Sequence, residues 1–275
     1  MIKIFNRYPL FSKRIVIAAV FISLVFSCSK NNSDPVKVAN KYCTEIDWSN
    51  STGVSGYFKG ALANAIFGLT SESVTDNGIS KNITFNRDAS GHLINESGFT
   101  YTYNQDQLVK IVASDGTATG SGTFTFDTKG HLTNTVVKSS DDQGSTTATY
   151  TYTYDTNDDP VKIIGDATST DNTGTSNAHY DITADYLTDK LIFFPLTPEI
   201  TTFSIYFTYT FYSSMHLINK WVINITGTDS DGTALHPINF TQQYTYTYDT
   251  DGRLATMVHT GNSNNIYTFT YSGCN

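Results

Sequence analysis

The chain has 275 residues, a formal net charge of −8, and only 15% charged residues against 13% aromatic. Threonine occurs 42 times, and only four of the 25 acidic residues are glutamate. Glutamate favours helices, whereas threonine and aromatics suit a pleated surface. This composition argues against a helical bundle or a βαβ enzyme, and the aromatic content argues against disorder.

In chain order, the first segment reads as an address. Lys3, Arg7, Lys13 and Arg14 precede an uncharged, mostly apolar run from Ile15 to Phe26, and Ser27-Cys28 follows. A basic start, a short apolar stretch and a small residue before the cut describe a secretory signal over residues 1–27. Such a run rises about 18 Å as a helix, short of ~30 Å of hydrocarbon. A transmembrane anchor is therefore the less favoured alternative.

The Val25-Phe26-Ser27-Cys28 ending resembles the lipobox of bacterial lipoproteins. The resemblance implies cleavage before Cys28, acyl chains on its sulfur and new amino group, and a membrane partner reached through that lipid anchor. It also implies an outer-membrane location, on either the cell-surface or the periplasmic side. Residues 28–43 then form the lipidated cysteine and a polar tether (SKNNSD), and 44–275 a single all-β domain. After Cys28 there remain 13 basic residues against all 25 acidic ones. With only Arg87 and Arg253 as arginines and no basic cluster to meet phosphates, nucleic acid is not an expected partner.

Cys43 and Cys274 are the two cysteines left over. In an oxidising compartment such a pair suggests a disulfide, with two free thiols as the alternative. No Cys/His spacing of a metal site occurs.

Residues 44–80 carry no repeat. The apolar, glycine-containing stretch at 56–69 reads as two strands in preference to a short helix. From residue 81 a unit recurs: an aromatic/threonine strand, a polar turn, then a leucine opening the next strand. Phe99-Thr-Tyr101-Thr-Tyr103 leads to Leu108, and Phe124-Thr-Phe126 to Leu132. Tyr150-Thr-Tyr152-Thr-Tyr154 leads to Val161, and Tyr244-Thr-Tyr246-Thr-Tyr248 to Leu254. Fainter copies pair Phe85 with Leu93, Phe211 with Leu217 and Tyr186 with Leu191, and residues 267–271 form a last strand. Period-two alternation puts the aromatics on one face and the threonines on the other. The Asp, Asn and Gly of the turns tolerate left-handed backbone, so each unit is a β-hairpin. A lone hairpin is marginal, so several must pair side by side. The expected fold is all-β: an antiparallel hairpin meander, strongly twisted, curled around its aromatic face.

Tyr248, Asp249, Gly252, Arg253 and Leu254, and likewise Phe126, Asp127, Gly130 and Leu132, resemble the YD (RHS) repeats of bacterial surface and toxin-shell proteins. The chain also looks like small Bacteroidota lipoproteins built from such repeats, a group of unknown function. The resemblance implies the hairpin architecture. Six or seven hairpins are too few to enclose a toxin.

Two segments interrupt the pattern. Residues 165–179 read as an exposed polar loop. Residues 191–200, apolar and broken by Pro195 and Pro198, either cover the open end of the core or present Phe193 and Phe194 to a partner.

Candidate chemistry is sparse. His92, His131 and His216 fall just before the leucine of a repeat, where Arg253 stands in another copy; the slot calls for a polar turn exit, not a proton donor. Asp155, Asn157 and Asp159 are candidate Ca²⁺ ligands, because oxygens two residues apart can converge on a hard cation. Yet Pro160 replaces the usual glycine and no bidentate glutamate follows, so turn chemistry explains the run as well. No cofactor is expected otherwise. No nucleophile, P-loop or zinc-helix motif occurs. The expected function is non-catalytic: a lipid-anchored envelope protein that binds a glycan or protein ligand or serves structurally. The alternative is a cell-surface glycan hydrolase working through two carboxylates.

Overall fold

A computed structural model of the chain describes residues 43–63, 66–84, 86–90, 92–95, 99–105, 107–114, 117–191, 216–260 and 265–274. Cys28, Phe193, Phe194 and Phe211 lie outside these. The described residues form seventeen strands and no helix. The first group is β1 (Glu45–Asn50), β2 (Ser55–Ala63), β3 (Ile66–Asp76), β4 (Ile79–Thr84), β5 (Asn86–Arg87) and β6 (Leu93–Asn95). Next come β7 (Phe99–Asn104), β8 (Gln107–Ser114), β9 (Thr119–Phe126), β10 (Leu132–Asp141), β11 (Gly144–Tyr154) and β12 (Pro160–Asp171). The last five are β13 (Gly174–Leu191), β14 (His216–Thr228), β15 (Ile238–Tyr248), β16 (Leu254–Thr260) and β17 (Asn265–Ser272).

Fifteen of them form one antiparallel sheet in the order β4-β3-β2-β1-β17-β16-β15-β14-β13-β12-β11-β10-β9-β8-β7. The chain starts in the middle of this sheet, meanders out to β4, crosses through the β5–β6 hairpin, and re-enters at the opposite edge with β7. It then meanders back until β17 pairs with β1, placing Trp48 opposite Phe269. Laid flat, fifteen strands would hold the two edges about 67 Å apart. The chain from Thr84 to Phe99 reaches at most ~50 Å fully extended, and the β5–β6 hairpin shortens it further. The sheet must therefore curl toward itself. It stops short of closing into a barrel: β4 and β7 remain its two edges.

Alternation sorts the two faces. In β11, Ala148, Tyr150 and Tyr152 are buried, while Thr147, Thr149, Thr151 and Thr153 are exposed. The inner face gathers Trp48, Phe124, Tyr150, Tyr180, Trp221, Tyr244, Tyr267 and Phe269 into one core. Outward positions hold Lys138, Lys162, Asp166, Thr168, Thr183 and Asp185. Aromatic rings crowd glycines of the neighbouring strand. Gly165 faces Tyr150 in the ladder, and a Cβ there would meet the ring at 2.3 Å. Packing an aromatic over a strand glycine restores the contacts the missing side chain would have made.

Three expectations change or resolve here. Residues 165–179 are not a loop: they belong to the β12–β13 hairpin, whose turn is only Asn172-Thr173. Their inward residues Ala167, Ser169, Ser176 and Ala178 are small, so the segment reads as polar although its pattern is that of a strand. The fainter copy of Tyr186 with Leu191 is not a repeat of its own, since Leu191 pairs with His216, and the copy of Phe211 with Leu217 lies partly outside the described residues. Tyr186 pairs with Ile218 across β13 and β14, so one hairpin is split by a long insertion. Finally, the apolar stretch 56–69 forms strands, as favoured over a helix.

Candidate functional site

The repeat's turns share one construction. In the Asp127 turn, the backbone N–H of Asp127 donates to the carbonyl of His131 at 2.9 Å. Its Oδ1 accepts the N–H groups of Lys129 and His131 at 2.8 and 2.9 Å. Asp88, Asp155, Asp229 and Asp249 repeat the pattern with the residues two and four positions on. The residue three positions on takes left-handed backbone: Gly130 (φ 88), Gly252 (φ 80) and, unusually for a side-chain-bearing residue, Asp158 (φ 64). The carboxylate thus satisfies amides that no ladder can reach.

A β-bulge follows each leucine slot, which is filled by Pro160 and Ile218 where the sequence pattern pointed to the neighbouring Val161 and Leu217. Registers skip one residue between Leu132 and Asn134, between Pro160 and Lys162, and between Leu254 and Thr256. The extra residue lets positions i and i+3 both face inward, as with Leu108/Ile111, Pro160/Ile163 and Leu254/Met257, all buried. Beside each skip, a tyrosine at the far end of the next strand donates its hydroxyl to the carbonyl of the slot residue. The pairs are Tyr154 to Leu132 (3.0 Å), Tyr186 to Pro160 (3.1 Å), Tyr246 to Ile218, and Tyr271 to Leu254 (2.7 Å). Successive hairpins are therefore tied side to side by more than the ladder.

The last turn residue, which the sequence marks as a polar slot, lies against the next hairpin. His92 stacks on Tyr103 at 4.1 Å, His131 on Tyr154 at 4.6 Å, and the Arg253 guanidinium sits 5.3 Å from the Tyr271 ring centre. His131 is buried, with Nδ1 3.0 Å from Asp127 and Nε2 3.1 Å from Asp158. His216 Nδ1 lies 2.9 and 2.8 Å from the two oxygens of the buried Asp159. Apart from His131 with Asp127, four residues away in the same turn, these pairings join separate hairpins, and the sequence gives only the recurrence of the slot as a clue to them.

The candidate calcium run lies in one of these turns. Asp155 caps the turn, Asn157 Nδ2 turns back to Asp155 at 3.5 Å, and Asp159 faces His216. No group of three or more His, Cys, Asp or Glu residues placed to hold a metal occurs among the described residues. For Asp127, burial pushes the carboxyl's pKa up, but the amides of His131 and Lys129, with the imidazole of His131, outweigh it and hold it below the ordinary value. Asp249 is lowered likewise: the Arg253 amide and guanidinium overcome the cost of burial. At His259, burial alone holds the imidazole's pKa below its usual value.

Cys43 and Cys274 form the disulfide that the leftover pair suggested. It pins the start of β1 to the end of β17 on this same turn rim. Arg253 reaches it, with Nη1 3.0 Å from Cys274 Sγ and 3.6 Å from Cys43 Sγ.

Fold and rim together define a protein of turn-capped β-hairpin repeats. No protein-family model matches the chain, and no curated protein does. Among solved structures, it is similar to a porin-like protein from Bacteroides uniformis at 14% identity and TM-score 0.38, covering 84% of this chain and 98% of that one. It is similar also to a porin-like protein from Bacteroides vulgatus at 11% identity and TM-score 0.36, covering 84% and 99%. A third likeness is to a structure of TcdB2–TccC3–Cdc42 at 13% identity and TM-score 0.30; it covers 77% of this chain but 11% of that one.

Proposed function

We propose that the protein is a non-catalytic, lipid-anchored component of the cell envelope, whose curled sheet presents a hydroxyl-rich outer face to a glycan or protein ligand. The orientation of the strands supports this reading. A barrel crossing a bilayer carries an apolar band outside and polar residues within. Here the arrangement is inverted, with aromatics buried inside and Lys138, Lys162, Asp166 and Asp185 exposed outside. A wall of that kind belongs in water, so membrane attachment falls to the acyl chains on Cys28. Burial of acyl chains contributes about 0.8 kcal/mol per CH₂, and two or three chains hold firmly. The work given to the rim's acids and histidines supports a non-catalytic role. Asp127 and Asp158 flank one imidazole, Asp159 holds another, and Asp249 and Asp251 hold Arg253.

Fractionation of cells expressing Cys28→Ser tests the anchor. The variant is expected in the soluble fraction while the wild type stays with membranes. Retention of the variant in membranes after carbonate washing would sink the proposal in favour of an inserted barrel.

A further inference from the structure

One chemical group on the turn rim is unused by that reading: the disulfide, whose two sulfurs have unlike surroundings. Cys43 is 7% exposed, whereas Cys274 is open to solvent. The Arg253 guanidinium is held in place by Asp249 on Nε and Asp251 on Nη2, both at 2.7 Å. Its position over the Tyr271 ring fixes it further. Nη1 is the nitrogen left over, and it donates to Cys274 Sγ at 3.0 Å, nearer than to Cys43 Sγ at 3.6 Å. Thiolates are stabilised by water and by charged donors, and destabilised by burial. In the dithiol form, both effects place the negative charge on Cys274. The two carboxylates oppose this, but from the far nitrogens of the guanidinium.

We propose that Cys274 is the entry sulfur for thiol–disulfide exchange with an external disulfide, with Cys43 as the resolving thiol and Arg253 as a positioning residue. The Cys274 thiolate attacks one sulfur of the external disulfide. That S–S bond breaks, its second sulfur leaves as a thiolate, and Cys274 carries a mixed disulfide. Cys43 then loses its proton to solvent and attacks Cys274 Sγ. The mixed bond breaks, the remaining external thiolate leaves, and the Cys43–Cys274 bond forms. Two electrons pass from the cysteine pair to the external disulfide, which ends as two thiols. In the reverse direction an external thiolate meets the sulfur of the exposed Cys274 first and Cys43 departs. This inference stands on the rim geometry and is independent of the lipid anchor.

The test uses the full chain with Cys28→Ser, which leaves these two as its sole thiols. The reduced protein is mixed with limiting oxidised glutathione, quenched in acid and peptide-mapped. The glutathione is expected on Cys274, and finding it on Cys43 overturns the proposal. Further variants then read the cause through their rates of reaction with 5,5′-dithiobis(2-nitrobenzoate) between pH 6 and 9. Cys274 in Cys43→Ser is expected to react about tenfold faster at neutral pH than Cys43 in Cys274→Ser. Arg253→Gln added to Cys43→Ser should move the pH profile upward, and Arg253→Lys should restore part of the shift. Equal rates, or a profile unmoved by Arg253→Gln, overturn the assignment. Circular dichroism checks that each variant keeps its strands. If Cys43→Ser fails to fold, the glutathione mapping decides alone.

Discussion

At the scale of single residues, the aspartate that closes each turn does most to set local structure. Asp127→Ala removes the one oxygen that accepts two backbone amides, and the partner of His131 Nδ1 with it. The expected loss is about 1–2 kcal/mol, read as a lower urea midpoint with an unchanged slope. His259 contributes to acid sensitivity. It is buried and stacks on Tyr244 at 5.3 Å, and burial depresses its pKa below 6.5. The unfolded chain therefore takes up a proton that the folded one resists. Its contribution to stability is complete above pH 6.5 and is lost as the pH falls below that value. Asp127 and Asp249 act in the same direction lower down, contributing above about pH 3.8 and losing effect as the pH falls through their depressed values. His259→Phe keeps a ring against Tyr244 and removes the titrating group. Its melting temperature should decline less between pH 7 and 5 than that of the wild type, and an equal decline would contradict the assignment.

At the scale of elements, the hairpin was legible and its joinery was not. The alternation in Tyr150-Thr-Tyr152-Thr-Tyr154 gives strand, face and core side directly, because a period of two is the pleat itself. The bulge after each leucine slot breaks that period, so the inward positions at Ile111, Ile163 and Met257 fall out of phase with the pattern. The turn end of the β12–β13 hairpin reads as a polar loop because its inward residues there are Ala167, Ser169, Ser176 and Ala178, which carry little hydrophobic signal. The split repeat of Tyr186 and Ile218 was hidden by the insertion between its halves. Contacts such as Asp159 with His216 join residues 57 apart, and nothing local announces them. The tyrosine ties are testable as a class. Tyr154→Phe leaves the ring on His131 and removes only the hydroxyl donated to Leu132. The loss of that bond should cost about 1–2 kcal/mol in equilibrium unfolding, and a cost near zero would mean that water replaces it.

At the scale of the whole molecule, one ladder and one bond hold the two arms of the meander together. β1 and β17 join the two ends of the described chain, and Cys43–Cys274, separated by 231 positions in sequence, seals that junction. Loop-closure entropy for so long a loop gives about 5 kcal/mol of stabilisation. Cys43→Ser/Cys274→Ser should therefore unfold at markedly lower denaturant, with the amides of β1 exchanging faster than in the wild type. Protection of β1 amides equal to that of β11 in the double variant would show that the ladder suffices without the bond.

The junction also separates sequence order from spatial order. The Cα atoms of Cys43 and Cys274 are 3.9 Å apart, while the passage between the sheet's two edges runs through residues 85–98. Fusing the ends at the cysteines and cutting between Asn95 and Phe99 would give a circular permutant whose strands appear in the order of the sheet, β7 to β17 and then β1 to β4. In that rearranged chain every ladder of the large sheet would be local, and refolding should be faster than in the natural arrangement.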